Sequence, residues 1–329
     1  MSSGHTESCA PSRAHRPGVS GRNTEGWCRK WWIYQSERFP VFAHGLLIAA
    51  FSLSAVCFSS LLRGNTTSPL LLSILVAFVT SFLSFLQLRI ADEFKDFEED
   101  SRYRPYRAVP RGLVTLRELG WLGGLTGAVQ LALALWLSPA LLWLLLATWT
   151  YLALMSREFF LRDWLKARPF TYLWTHMFIM PLIDLYATAC DWKVAGARLP
   201  SGIFWFLVVS FFNGVVLEMG RKIRAPGDEE HGVPTYTALW GRRIAVGGWL
   251  CSLGFTAACA LMASVEIHFA KPLAVCLAVL LLLATLNAVQ FLRGPTSKSA
   301  KRFELIAGLW TLCMYLMLGV VPMLLRFLR

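Results

Sequence analysis

The chain has 329 residues, 56% of them hydrophobic and only 16% charged, which is more apolar surface than a soluble domain of this size buries. Its formal charge of +12 would suggest nucleic acid in a soluble protein, but here Lys and Arg gather in alternate loops between long apolar runs. That is the positive-inside pattern of a polytopic membrane protein, and it excludes a nucleic-acid partner. The eight cysteines form no C-x-x-C pair, so neither a disulfide framework nor a zinc site is expected.

Residues 1–38 are polar and basic with no apolar core, and read as a disordered cytosolic tail rather than a signal peptide. Trp31, Trp32 and Tyr34 at its end suit the lipid interface. From 39 to 329 the chain reads as one transmembrane domain, an all-α bundle of about nine spans. The spans are expected near 40–62, 69–90, 117–137, 139–157, 170–190, 201–221, 244–265, 271–292 and 305–327. Ser138-Pro139 alone divides the third from the fourth, and Pro181 predicts a kink in the fifth. Every second loop is basic, which puts the N-terminus and the two long charged loops in the cytosol. A multi-pass protein of a bacterial cytoplasmic membrane is the expected location.

The second span runs into Arg89-Ile-Ala-Asp-Glu-Phe-Lys-Asp-Phe-Glu-Glu-Asp100. On a continuous helix, Glu93, Asp96 and Asp100 share one face. Carboxylates this close to hydrocarbon are costly unless they are paired or hold a cation. Hard oxygen ligands at the mouth of a bundle suggest Mg²⁺, and Mg²⁺ suggests a phosphorylated substrate. The plain alternative is a solvated helix with Lys95 paired to Glu99. The chain continues through Arg102, Arg104, Pro105, Arg107, Pro110, Arg111 and Gly112. Its arginines suit phosphate oxygens, and its prolines predict an extended loop.

The sixth span ends in a second charged stretch, from Leu217 and Glu218 through Arg221, Lys222, Arg224 and Asp228 to Gly241. A capped helix end with a Glu218–Lys222 pair explains part of it. Within the spans, Asp184 and Asn213 are candidates for function or for helix–helix bonding, whereas His176 reads as a core histidine.

Asp92-Glu93-x-x-Asp96-x-x-x-Asp100 resembles the N-D-x-x-D-x-x-x-D motif of the UbiA superfamily of intramembrane prenyltransferases, and Pro105, Arg107, Pro110 and Gly112 resemble its continuation. The chain departs at Asp92, Glu93 and Ala108, where that family has Asn, Asp and Pro. In the second stretch Glu218 and Asp228 resemble acidic positions of the family's second motif, whose first aspartate is absent. Tyr151 with Ser156-Arg157 is a partial match to a further family feature.

The resemblance implies an Mg²⁺-dependent transfer of an isoprenyl group from a prenyl diphosphate to an aromatic or lipid-like acceptor. It implies metal ligation by Asp92, Glu93, Asp96, Asp100 and Asp228, diphosphate binding by Arg104, Arg107, Arg221 and Lys222, and catalytic roles for Asp96, Asp100 and Glu218. The expected partners are the prenyl diphosphate donor, a lipophilic acceptor and membrane lipid. Two alternatives stay open: a phosphoribosyl-type transferase acting on a polyprenyl phosphate, and a non-catalytic binding or transport protein of the same fold.

Overall fold

Hydrocarbon offers no hydrogen bonds, so each apolar run closes its backbone bonds internally as a helix. A computed structural model describes residues 26–64 and 69–328. The helices are α1 (Trp27–Arg38), α2 (Val41–Leu62), α3 (Leu71–Lys95), α4 (Phe97–Tyr103), α5 (Leu116–Leu137), α6 (Leu142–Ser156) and α7 (Arg162–Lys166). They continue as α8 (Pro169–Met177), α9 (Ile179–Trp192), α10 (Ile203–Arg221), α11 (Tyr236–Trp240), α12 (Arg242–Glu266), α13 (Ala270–Arg293), α14 (Ser297–Leu318) and α15 (Val320–Phe327). Among the described residues, eight stretches are long and apolar enough to cross a membrane. The remaining expected span is split into α8 and α9.

The split falls at Phe178, three residues before Pro181. The proline ring crowds the carbonyl of residue 177, which ends α8 there. Ser138-Pro139 does separate α5 from α6, through a short 3₁₀ turn. Thr115 opens α5 with a capping box: its hydroxyl accepts from the Glu118 amide at 3.3 Å, and the Glu118 carboxylate accepts from the Thr115 amide at 2.9 Å.

The helices close into a ring. α2 packs on α3, α9 and α14; α3 on α5 and α9; α10 on α9, α12 and α14; and α13 on α12 and α14. α9 is buried along nearly its whole length, and Trp121, Trp136 and Trp143 face outward among the lipid-side apolar residues. At the core, Tyr315 donates to Asp184 at 3.0 Å, with both residues fully buried. At one rim Arg63 grips Asp191 with two nitrogens, at 3.0 and 2.7 Å.

One tight helix approach is at Gly319, where α14 gives way to α15. A Cβ there would stand 2.4 Å from both Cα and O of Ser54 in α2, where only backbone stands in the way. Gly319→Ala is therefore expected to destabilise the fold by roughly 1–3 kcal/mol, read as a lower thermal midpoint in detergent.

Residues 27–38 of the expected tail form a helix, α1, and residues 1–25 of it lie outside the described residues. The segment after α4 is a compact run of turns rather than an extended loop. Its Ala108, Val109, Leu113 and Val114 pack into a small core with Tyr34 of α1 and with Ile90 and Leu119.

Candidate active site

The α1 end, the α4 region, the turn at 157–166, the segment at 222–235 and the start of α14 meet at one face. Arg38 binds Glu93, and Lys166 and Arg162 bind Glu99. Tyr106 donates to Glu230 at 3.4 Å, and the Tyr103 ring lies 6.1 Å from that of His231. Gly232 has φ +78°, and a Cβ there would fall 2.6 Å from the Tyr103 ring. The two charged loops thus touch directly.

The acidic run does not form the continuous ligand face that its spacing suggests. The helix breaks at Asp96 (φ −95°, ψ 3°) and restarts as α4. Glu93 and Asp100 are 2% and 1% exposed and turn inward beneath arginines. Arg38 Nε lies 2.5 Å from Glu93, and its Nη2 lies 3.8 Å from Asp100. Arg104 and Arg107 reach Asp100 at 2.8 and 2.6 Å, and Arg89 stands 3.6 Å from Glu93. The break also removes the expected Lys95–Glu99 pair. Lys95 instead donates to Tyr172 at 3.0 Å and sits 3.5 Å from Asp92.

Several of the expected site residues pair with one another. Two of the five proposed metal ligands, Glu93 and Asp100, are the buried anions of an arginine cluster. Two of the four proposed diphosphate cations, Arg104 and Arg107, are the partners of Asp100. A buried carboxylate is stable only when paired and hydrogen-bonded, and the arginines meet that need. Asp228 takes a hydrogen bond from Ser297 at 2.7 Å, at the start of α14. No group of three or more His, Cys, Asp or Glu comes together as a metal cluster among the described residues.

Asp92 and Asp96 remain. The Asp92 side chain is 40% exposed and loosely held by Arg89 at 3.4 Å and Lys95 at 3.5 Å. Asp96 makes no side-chain hydrogen bond or salt bridge among the described residues. Burial pushes its carboxyl above the usual carboxylate range, against the pull of Lys95 and reinforced by Asp92 and Asp100. One or two carboxylates plus substrate phosphates and water are what Mg²⁺ ordinarily takes, and Asp92 and Asp96 could supply them.

The cationic side is the end of α10. Glu218 holds Arg221 at 2.5 Å and Lys222 at 2.8 Å. The charge of Asp92, like that of Glu218, acts on Arg221. The ammonium of Lys222 lies 5.6 Å from the centre of the Tyr236 ring. Glu229 binds the hydroxyls of Thr235 and Thr237 at 2.5 and 2.6 Å, which ties down the segment that follows.

The third wall is α8 with the turn before it. The Tyr172 ring stacks on His176 at 3.9 Å, and Tyr151 donates to the Thr175 carbonyl at 2.7 Å. Glu158, Phe159 and Phe160 all have positive φ, between 49° and 60°, a costly conformation for non-glycine residues. Beside Ala91 a mostly apolar groove of about 370 Å³ runs between α3, α5 and α6, cleared by Gly123 and Gly127 and bordered by Gln87 and Trp149.

Sequence reasoning missed Arg38, Tyr172 and Glu158, and read His176 only as core. Arg38 carried no signal, since its partners lie more than fifty positions away. Tyr172 and His176, at i, i+4 on a segment interrupted by proline, were the legible hint.

The sequence profile of the UbiA prenyltransferase family matches residues 51–312. Among solved structures, one described as digeranylgeranylglyceryl phosphate synthase superposes with TM-score 0.62 at 14% identity, over 90% of this chain and 99% of that one. The apo structure of a UbiA homolog from Aeropyrum pernix K1 gives 0.62 at 14%, over 82% and 95%. A UbiA homolog from Archaeoglobus fulgidus gives 0.50 at 15%, over 83% and 98%. At these identities the superpositions show the fold alone. No curated protein matches the chain at a significant level.

Proposed function

The chain belongs to the UbiA prenyltransferase family, and from that premise we propose that it transfers an isoprenyl group from a prenyl diphosphate to an aromatic or lipid-like acceptor within the membrane. One observation carries the reading: an under-neutralised acidic helix end, Asp92 and Asp96, whose charge acts on the cationic end that bears Arg221 and Lys222. Asp92 and Asp96 would hold Mg²⁺, which when bound supplies charge neutralisation for a diphosphate. Arg221 and Lys222 bind the phosphate oxygens. Negative charge grows on those oxygens as the allylic C–O bond breaks, so both cations act most strongly in the transition state. Glu218 orients the two cations. The groove between α3, α5 and α6 opens one residue from Asp92 and suits an isoprenoid tail.

The phosphoribosyl alternative rests on a surplus of arginines and on the missing aspartate of the second motif. Arg104 and Arg107 are engaged with Asp100, which weakens that support. The test is diphosphate release from purified protein in nanodiscs with Mg²⁺, a panel of prenyl diphosphates, phosphoribosyl diphosphate, and membrane lipid extract as acceptor source. Release with a prenyl donor is expected. Release with the ribosyl donor alone, or with none, would overturn the reading.

A further inference from the structure

His176, on α8, is only 7% exposed. Its Nδ1 is 2.9 Å from the Tyr172 carbonyl oxygen. A carbonyl only accepts, so Nδ1 carries the proton. Thr175 agrees: its hydroxyl donates to the Thr171 carbonyl at 2.9 Å and offers a lone pair to Nδ1 at 3.4 Å. The neutral ring then carries its free lone pair on Nε2, and that buried atom has no hydrogen-bond partner among the described residues. Tyr172 stacks on one face of the ring, and Phe159 meets it edge-on at 6.3 Å. The charges that act on the ring come from Lys95 and Asp92 of α3 and Glu218 of α10. Behind the stacked ring, Tyr172 bonds to Lys95 and to Glu158.

We propose that Nε2 of His176 is the proton acceptor of the transfer reaction, for an acceptor bearing a hydroxyl or aromatic C–H. This rests on the prenyltransferase reading above. As the allylic C–O bond breaks, its electron pair leaves with the diphosphate. The acceptor's nucleophilic atom forms the new bond to that carbon, and its proton passes to Nε2. The imidazolium returns the proton to the departing diphosphate or to water. The nearby carboxylates suit this step poorly. Glu93, Asp100 and Glu218 are each held by two or more cations, and Asp92 and Asp96 serve the diphosphate side.

His176→Asn keeps a donor to the Tyr172 carbonyl and removes Nε2; His176→Gln places a non-basic amide near Nε2. Both are expected to bind prenyl diphosphate with Mg²⁺ as the wild type does, and to lose about 10²–10⁴-fold in transfer kcat. Both should also lose the acidic limb of the pH–rate profile. Added imidazole should restore part of the turnover of His176→Ala. Wild-type kcat and an unchanged acidic limb in His176→Asn would overturn the proposal. So would loss of donor binding in both variants, which would assign His176 to packing. A wild type that turns over no prenyl donor would overturn the prenyltransferase reading itself, and this proposal with it.

Discussion

Asp96→Asn is expected to lower diphosphate release by roughly 10²–10³-fold while leaving the thermal midpoint nearly unchanged. Asp96 sits at the break between α3 and α4, and burial raises the cost of its charge. No salt bridge among the described residues offsets that cost, so the carboxylate is poised for a cation that arrives with the substrate. Asparagine keeps the shape and removes the charge. It strands no arginine, which is why stability should hold. Asp100→Asn should behave differently, because it leaves Arg104 and Arg107 without their shared anion. Its main effect should be a lower thermal midpoint. Parallel diphosphate release and thermal unfolding in detergent separate the two. Wild-type turnover in Asp96→Asn would remove that residue from the diphosphate site.

The second large effect lies in α1. Arg38→Ala is expected to destabilise the protein by about 3–5 kcal/mol, the usual penalty for removing one partner of a buried ion pair. Arg38 lies against Glu93 at 2.5 Å and Asp100 at 3.8 Å, and both carboxylates are almost completely buried. Arg89, Arg104 and Arg107 compensate in part. Adding Glu93→Gln to Arg38→Ala should recover a substantial share of the lost thermal midpoint, since it removes the stranded charge. Full stability in the single variant, or no recovery in the double, would show that the cluster does not depend on Arg38.

Much of the membrane architecture was legible. Hydrocarbon accepts only apolar segments with internally satisfied backbones, so span positions follow from composition, down to the division at Ser138-Pro139. Proline's missing amide made the interruption of the fifth span readable, although the steric conflict falls four residues upstream of Pro181. The acidic motif and the basic helix end were visible for a similar reason: charge is rare beside lipid and stands out.

Which of those charges are free for a ligand was not legible. Periodicity assumes an unbroken helix, and the helix breaks at Asp96, with Glu93 and Asp100 buried and the Asp92 side chain 40% exposed. The cations that neutralise the inward pair come partly from Arg38, in a segment whose polarity resembled a disordered tail. His176 could be counted as buried from sequence, but its tautomer depends on a carbonyl partner and the charges that act on it come from α3 and α10. Hydrophobicity is a property of each segment and is written along the chain. The pairing of a buried charge is a property of two distant segments, and only the packed bundle decides it.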